Sequence, residues 1–484
     1  MKVGRGARAV AAAVLTISLL GGGGFALARA SAAAATPELP VVQGNDDAIT
    51  GKEWTTPQDV NRGQVPARST ILPYTTAQDA RANNTLKKAE DSATDTSTVR
   101  LLNGTWLFKY ASKPANAPDL TGVDTLDKAQ ALKSEIASDQ MPVPASWQTA
   151  NKYAGAVTPD WPIYNNQDYP WQTPDNADSE ALKSGKAASN PKSNQIKAAS
   201  KAPSDWNPVG SYFRTVNLSQ DDLSGKRVII NFQGVQQGFY LYINGKVVGY
   251  NEDSFTPSEY DITPYLHEGD NLIAAKVFRW TTGGWTENQD MTNFSGIFRD
   301  VFMTIQPDVS LFDYNLETAF SGGDYSSSKL QLAVDVANTT DKEATRTVKA
   351  TVYDAAGKQY GDTLTAEVTV PAKKQDAKQA ATATAKLEGT FKNPKLWSAE
   401  APNLYTVVFE LQENGKTVNA VGKRFGFKEF KMSNQDGSGT SQMTINGKNV
   451  EFYGVASHEN SPKGGQYCRT RPSSRTSPTP NSST

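Results

Sequence analysis

Alternating apolar and polar positions recur along much of the chain and predict a protein built mainly of β-strands. In residues 239–243, 330–336 and 348–352, apolar side chains occupy every second position. A period of two places these side chains on one face of a strand, where a core can cover them. The pattern therefore predicts sheets that each bury one face.

Two Asn-Gly dipeptides mark tight turns between such strands. Asn244-Gly245 follows the apolar positions of residues 239–243, and Val247-Val248 opens the returning strand. Asn446-Gly447 lies in the same way between two short apolar runs. Because Asn-Gly favours the two-residue turn that matches strand twist, both positions predict β-hairpins.

The strands fall into two groups that predict two sandwiches. Residues 98–306 contain short strands expected for a jelly-roll sandwich, interrupted at residues 172–205 by an Ala/Lys/Ser-rich surface loop or loosely helical excursion. Residues 307–428 contain about seven short strands, which predicts an immunoglobulin-like sandwich. This second module is expected to act as scaffold.

Both ends of the chain differ from this β-rich part. Lys2, Arg5 and Arg8 precede a short apolar run and then small residues, which predicts a secretory signal over residues 1–35, with a retained anchor as the alternative. Residues 36–97 predict an extended arm with anchors such as Trp54 and Tyr74. Residues 467–484 have no apolar periodicity and are expected to form a disordered tail.

Composition excludes several classes of function. The formal net charge is −1, from 49 basic and 50 acidic residues, so no basic footprint for nucleic acid exists. No segment after the signal is expected to span a bilayer. The one cysteine, Cys468, makes internal disulfides impossible, so burial must supply the stability. Two histidines without cysteine ligands argue against a zinc site.

A series of motifs in one order resembles bacterial β-galactosidases of glycoside hydrolase family 2. The resemblance covers about residues 50–466. The segments that carry it are residues 61–62 (NR), 102–106 (LNGTW), 143–148 (VPASWQ), 162–166 (PIYNN), 208–212 (PVGSY), 251–254 (NEDS), 287–291 (ENQDM), 295–301 (SGIFRDV) and 396–405 (LWSAEAPNLY).

The resemblance implies a galactose-binding-like jelly roll and an immunoglobulin-like sandwich, followed by a TIM (β/α)8 barrel. Only the first strand region of that barrel is expected here, at residues 429–466. Family members are retaining enzymes that take two catalytic glutamates from later barrel strands, so the fragment is expected to be inactive alone. The family's magnesium ligands also lie further along, and the abrupt change at residue 467 suggests a truncated or frame-shifted product.

Asp290 is the leading site residue, because its counterpart in the Gln-Asp-Met motif touches galactose hydroxyls and a sodium ion. A carboxylate suits both roles, since it accepts hydrogen bonds from two hydroxyls and offers hard oxygen to an alkali cation. Apart from the resemblance, Asp290 could instead be a turn residue that caps its own loop.

His458 is the second candidate. It lies in a Gly-Val-x-x-His-Glu run that resembles the end of the family's first barrel strand, where the histidine hydrogen-bonds the sugar. Its neighbour Glu459 is a poor catalytic candidate without an opposite carboxylate. Asn176 is a weak candidate for a further sugar contact, and His267 is expected in a surface loop.

Three interpretations of function remain open. The first is a secreted β-galactosidase, free or at the cell surface, that removes terminal β-galactose and in its full-length form could be a homo-oligomer. The second is a non-catalytic carbohydrate-binding or scaffold protein. The third keeps the family but changes the sugar to a β-glucuronide or β-mannoside, against which the Gln289-Asp290-Met291 motif argues.

Overall fold

Antiparallel strands dominate the part of the chain that the structure describes. A computed structural model describes residues 48–84, 98–154, 158–165, 202–287, 290–433, 442–455, 458, 461 and 464–466. The predicted signal, the tail with Cys468 and nearly all of the 172–205 insertion lie outside these residues.

Fifteen strands of the described residues build the first sandwich and two ribbons beside it. They are β1 (Asn61–Arg62), β2 (Val99–Leu101), β3 (Gly104–Ala111), β4 (Gln140–Val143), β5 (Ile163–Asn165), β6 (Val209–Leu218), β7 (Lys226–Phe232), β8 (Val235–Gln236), β9 (Gly238–Ile243), β10 (Lys246–Asn251), β11 (Ser258–Asp261), β12 (Gly269–Phe278), β13 (Met291–Asn293), β14 (Gly296–Ile297) and β15 (Val301–Pro307).

Two facing sheets of these strands enclose the first core. One sheet has the order β1-β10-β9-β12-β6-β3-β4 and the other β11-β7-β15-β2, while β5 pairs with β13 and β8 with β14. Large side chains fill the space between the sheets, and Trp106, Phe108 and Trp147 are fully buried. This arrangement confirms the predicted mainly β sandwich.

Seven strands form the second sandwich, as the alternation predicts. They are β16 (Val309–Phe320), β17 (Ser327–Asn338), β18 (Ala344–Tyr353), β19 (Leu364–Val370), β20 (Ala381–Lys392), β21 (Tyr405–Glu413) and β22 (Lys416–Phe425). Their orders are β16-β17-β20 and β19-β18-β21-β22. Leu330, Leu332, Val334 and Val336 all point into the core between them.

Short helices connect the strands. They are α1 (Ala77–Ala82), α2 (Leu126–Gln130), α3 (Trp147–Ala154), α4 (Gln220–Leu223) and α5 (Gly283–Thr286), with 3₁₀ turns at Glu53–Thr55, Pro114–Asn116 and Thr263–Tyr265. Thr76 caps α1 and Thr125 caps α2, each through a side chain that accepts an N–H of the first turn.

Both predicted Asn-Gly hairpins are present. Asn244 and Gly245 have φ values of 49° and 73°, and Asn446 and Gly447 have 50° and 72°. Two consecutive positive φ values define the turn that Asn-Gly favours. The first hairpin joins β9 to β10.

The arm runs along both sandwiches rather than standing apart from them. The 3₁₀ turn holds Trp54 against Phe278, and β1 extends the larger sheet. Further on, Tyr74 pairs with Ala420 of β22, and Lys423 Nζ donates to the carbonyl of Thr70. The anchors expected at Trp54 and Tyr74 are buried.

The last described strands form a small ribbon, β23 (Phe430–Ser433), β24 (Gln442–Ile445) and β25 (Lys448–Asn449). β24 pairs with β23 on one side and, through the Asn446-Gly447 turn, with β25 on the other. Beyond this ribbon, Phe452, Tyr453 and Val455 are 73–93% exposed.

Candidate functional site

A two-stranded ribbon presents the leading site residue. β5 pairs with β13 so that Ile163 lies opposite Asn293 and Tyr164 opposite Thr292. Because neighbouring side chains of a strand point to opposite faces, the ribbon has a buried and an open side. Ile163 and Asn293 are buried, whereas Tyr164 is 56% exposed. Asp290 directly precedes β13 and is also exposed.

Tyr164 and Asp290 are joined by a hydrogen bond. The phenol of Tyr164 donates to Oδ1 of Asp290. This bond to a carboxylate raises the pKa of Tyr164, because ionisation of the phenol would remove the donor and place two negative charges together. The bond orients the carboxylate of Asp290. The second oxygen of this carboxylate can accept a hydrogen bond from a ligand hydroxyl.

A buried ion pair lies beneath the ribbon. Nη1 of Arg279 is 3.3 Å from Oδ2 of Asp160, and both side chains are fully buried. Trp147 Nε1 and Gln148 Nε2 donate to the same oxygen at 2.5 and 2.8 Å. Burial lowers the pKa of Arg279, and the negative charge of Asp160 opposes that effect. A buried charge pair with additional hydrogen bonds is expensive to break.

The same arginine ties the strands of the ribbon to this pair. Arg279 donates to the hydroxyl of Ser295 and to the carbonyl of Trp161, each at 3.2 Å. Gln148 closes the network, since its Oε1 accepts the Ser295 N–H at 3.0 Å. Trp161 lies two residues before β5 and Ser295 two residues after β13. The network therefore holds both ends of the ribbon at fixed positions.

The last described residues pack against this assembly. Gln466 N–H donates to the hydroxyl of Ser146 at 3.3 Å. A Cβ on Gly465 would lie 2.8 Å from the Ser146 side chain and 3.0 Å from Phe294, so only glycine fits this approach. Phe294 directly follows β13. Gly465 and Gln466 are thus held at the base of the ribbon.

The two predicted site residues have different surroundings in the structure. Asp290 has a fixed partner, whereas His458 is exposed and makes no hydrogen bond with Asp290 in the described part of the chain. Asn176 and Glu459 lie outside the described residues. His267 lies in an exposed loop, as expected, with its ring 2.9 Å from the Glu268 carbonyl.

Sequence reasoning missed the residues that position Asp290. Tyr164 stands in the PIYNN motif, but nothing in the motif indicates contact with a residue 126 positions away. Asp160 and Arg279 are likewise far apart along the chain, and charged residues are seldom fully buried. The feature that could have indicated these positioning residues is a polar residue, such as Gln148, in a motif whose other residues are mostly buried.

The described part of the chain has neither a cluster of metal-binding side chains nor a membrane-spanning helix. Within it, no group of three or more histidine, cysteine, aspartate or glutamate side chains could hold a metal ion. None of its helices is long and apolar enough to cross a membrane.

Two family models match consecutive parts of the chain. "Glycosyl hydrolases family 2, sugar binding domain" matches residues 186–307, and "Glycosyl hydrolases family 2" matches residues 309–428. Together they cover half of the chain. The first includes Asp290 and Arg279, and the second corresponds to the seven-stranded sandwich.

Curated relatives are similar over most of this chain. A β-galactosidase of Priestia megaterium is 32% identical over 416 residues, which are 84% of this chain and 34% of the relative. A β-galactosidase of Halalkalibacterium halodurans is 36% identical over 258 residues, 53% of this chain and 23% of the relative. The chain thus spans about a quarter to a third of these relatives' length.

Solved structures agree on the fold. A β-glucuronidase of Bacteroides uniformis aligns with a TM-score of 0.54 at 20% identity, over 77% of this chain and 36% of that one. At this identity the likeness concerns the fold alone. The order of motifs, the two consecutive family models and the matching sandwiches agree, and the chain belongs to glycosyl hydrolase family 2.

Proposed function

We propose that this chain forms the sugar-recognition part of a β-galactosidase, which hydrolyses terminal β-D-galactose from β-galactosides with retention of configuration. The curated relatives named above are β-galactosidases, and the similarity to one of them extends over 84% of the chain. The intact Gln-Asp-Met motif favours galactose over a β-glucuronide or β-mannoside.

The hydrogen bond between Tyr164 and Asp290 is the observation that carries this proposal. It fixes the direction of an exposed carboxylate on a ribbon whose other face is buried. Galactose offers hydroxyl donors, and a pre-oriented carboxylate accepts them without further ordering cost. His458 is proposed as a second sugar contact, because Gln466, eight residues further along the chain, donates to Ser146 at the base of the same ribbon.

Recognition rather than bond cleavage is the proposed role of this chain. Retaining hydrolysis needs two carboxyl groups about 5 Å apart, one as nucleophile and one as acid/base. The family models that match this chain are those of the sugar binding domain, at residues 186–307, and of the sandwich that follows it, at residues 309–428. Asp290, whose Oδ1 accepts the hydrogen bond from Tyr164, is proposed to orient the substrate rather than to cleave the bond.

We also propose Asp290 as one ligand of a sodium ion. Its carboxylate and the phenol oxygen of Tyr164 are hard oxygen donors, which suit an alkali cation. These two donors do not complete a coordination shell, so no step of the reaction is assigned to the ion. A tighter galactose affinity in sodium than in potassium chloride would support this role, and equal affinities would argue against it.

A chimera tests the proposal. Residues 1–466 replace the matched third of the Priestia megaterium β-galactosidase, and hydrolysis of a chromogenic β-galactoside is measured. We expect turnover, and we expect Asp290→Asn in the chimera to lower kcat/KM at least tenfold. A folded chimera without activity, or one indifferent to Asp290→Asn, would contradict the proposal.

A non-catalytic carbohydrate-binding protein is the second candidate. The name of the matched sugar binding domain and the exposed Tyr164–Asp290 pair favour it. It predicts galactoside binding by the chain together with an inactive chimera, whereas the first candidate predicts binding together with an active chimera.

Secretion is a separate proposal, which rests on the basic residues and the apolar run at the N-terminus. Expression in a bacterial host followed by fractionation tests it, with the chain expected outside the inner membrane. A product confined to the cytoplasm would contradict it.

A further inference from the structure

A second concave region lies between the arm and the first sandwich. A cavity of about 760 Å³ is bounded by arm residues 60–70, by residues 251–259 after β10, and by residues 283–287. Small-molecule sites usually have volumes of roughly 300–1,000 Å³. Neither Tyr164 nor Asp290 lines this cavity, so it is separate from the proposed galactose contact.

Main-chain contacts on both sides keep the cavity open. β1 pairs with β10, and Val65 N–H donates to the carbonyl of Glu259 at 2.9 Å. Between these points Gly63 has a φ of 69°, and a Cβ there would lie 2.5 Å from the Val248 carbonyl oxygen. A wall fixed by backbone pairing is preformed, which lowers the ordering cost of binding.

Glu287 offers hydrogen-bond acceptors to the cavity. The N–H and the hydroxyl of Ser254 donate to its Oε1 and Oε2 at 2.7 and 2.6 Å. An ionised carboxylate accepts about four hydrogen bonds, so these two leave capacity for a ligand's donors. The carboxylate is held in one orientation, as a recognition group must be.

The charges on the walls exclude an anionic ligand. Arg68 is already engaged, with Nε 2.6 Å from Oε2 of Glu259 and Nη1 donating to the Phe312 carbonyl at 2.7 Å. The remaining charged groups of the lining, Glu252, Asp253 and Glu287, are carboxyls. A phosphate or a sugar acid would meet acceptors here rather than donors.

An aromatic ring completes the lining. Phe255 borders the cavity and packs edge-on against Phe298, with ring centroids 5.9 Å apart. Such a ring gives an apolar face to the C–H side of a polyhydroxylated ring. Asn61 and Gln64 line the opposite, arm side.

We propose that this cavity is a second binding site, which takes a neutral polyhydroxylated ligand between a hexose and a disaccharide in size. Hydroxyl donors of the ligand bond to Glu287, and Phe255 contacts its apolar face. The site is independent of Asp290, and nothing in the proposal requires hydrolysis.

The surroundings of Glu287 predict the sign of a pH dependence. Burial raises the pKa of Glu287 to about 7, the bonds from Ser254 lower it, and the charges of Asp253 and Glu252 raise it further. Arg68 and Glu259, also in the lining, are paired with each other. Because only the ionised carboxyl offers both oxygens as acceptors, ligand affinity should increase as the pH rises from 5.5 to 8.5.

Calorimetry on the full chain carrying Asp290→Asn tests the proposal, because that substitution weakens the proposed galactose contact and leaves the cavity unchanged. Galactose, lactose and sorbitol are titrated at pH 5.5 and 8.5. We expect saturable binding of at least one of them, with at least fivefold higher affinity at pH 8.5. Ala67→Phe, which fills the exposed edge of the cavity, should weaken ligand binding at least tenfold.

Two further variants make the result decisive. Ala319→Phe places the same bulk on an exposed strand position away from the cavity and should leave binding unchanged. Glu287→Gln should remove the pH dependence of ligand affinity. It takes the place of Ala67→Phe as the test if that variant does not fold. No saturable binding of any of the three ligands, or binding that survives Ala67→Phe in a folded chain, would overturn the proposal.

Discussion

At the residue scale, the account depends on the phenol of Tyr164 as much as on Asp290. Asp290 is exposed, and an exposed carboxylate without a partner samples several rotamers. The hydrogen bond from Tyr164 selects among them. Asp290 could be found from its motif, whereas Tyr164 could not be paired with it, because contacts between distant positions do not show in the pattern of a single strand.

Tyr164→Phe should weaken galactose binding while the fold stays intact. A net hydrogen bond contributes about 0.5–1.5 kcal/mol, which corresponds to roughly 2- to 12-fold in affinity. Tyr453→Phe is the matched control, since Tyr453 also donates from an exposed position to a carboxylate, that of Glu451 at 3.0 Å. Calorimetry should show weaker binding for the first variant alone. Equal loss in both variants would mean that the Tyr164 bond has no special role.

At the element scale, long strands and turns followed from the sequence, and short strands did not. Residues 330–336 alternate over enough positions to identify β17. The Asn244-Gly245 dipeptide identifies the turn between β9 and β10 by its backbone preference alone. β5 and β13 have three residues each, too few for a periodicity. The buried network of Asp160 and Arg279 holds their ends through contacts from distant parts of the chain, so local pattern could not predict the ribbon that carries the site.

Close packing of α1 on the second sandwich gives a prediction for an element of the arm. A Cβ on Gly422 of β22 would lie 1.9 Å from the backbone carbonyl of Ala80, which cannot move without displacing the helix. Gly422→Ala should therefore destabilise the chain by about 1–3 kcal/mol, as overpacking commonly does.

Gly323→Ala is the matched control, because a Cβ there meets nothing within 4 Å. Denaturant unfolding should separate the two variants, with the control neutral. Two equally stable variants would show that α1 does not dock on β22 as described.

At the scale of the whole molecule, the arm joins the two sandwiches. Arg68 bonds to Glu259 of the first sandwich and to the Phe312 carbonyl of the second, and Tyr74 pairs with Ala420. The two sandwich folds could be predicted from alternation, since each buries its own core. The path of the arm could not, because it depends on single anchors without any repeating pattern.

The carboxyl of Glu287 makes the stability of the whole chain depend on pH. Its pKa is raised to about 7 by burial, whereas in the unfolded chain it ionises near 4.5. The folded state therefore holds a proton that the unfolded state releases between these values, so stability decreases as the pH rises from about 4.5 to 7.

The size of this effect is at most about 3 kcal/mol, from 1.36 kcal/mol for each pH unit between the two pKa values. Chemical denaturation across pH 4.5–7.5 should show a decline that is absent in Glu287→Gln. Parallel curves for the chain and the variant would contradict the assignment.

The binding preference of the chain for sugars tests the central claim most directly. Methyl β-galactoside and methyl β-glucuronide are titrated into the chain and into Asp290→Asn at pH 5.5, where the proposed second site binds weakly. The account predicts that the galactoside binds more tightly to the unchanged chain and that Asp290→Asn weakens this binding at least tenfold. Tighter binding of the glucuronide, or a galactoside affinity unchanged by Asp290→Asn, would contradict it.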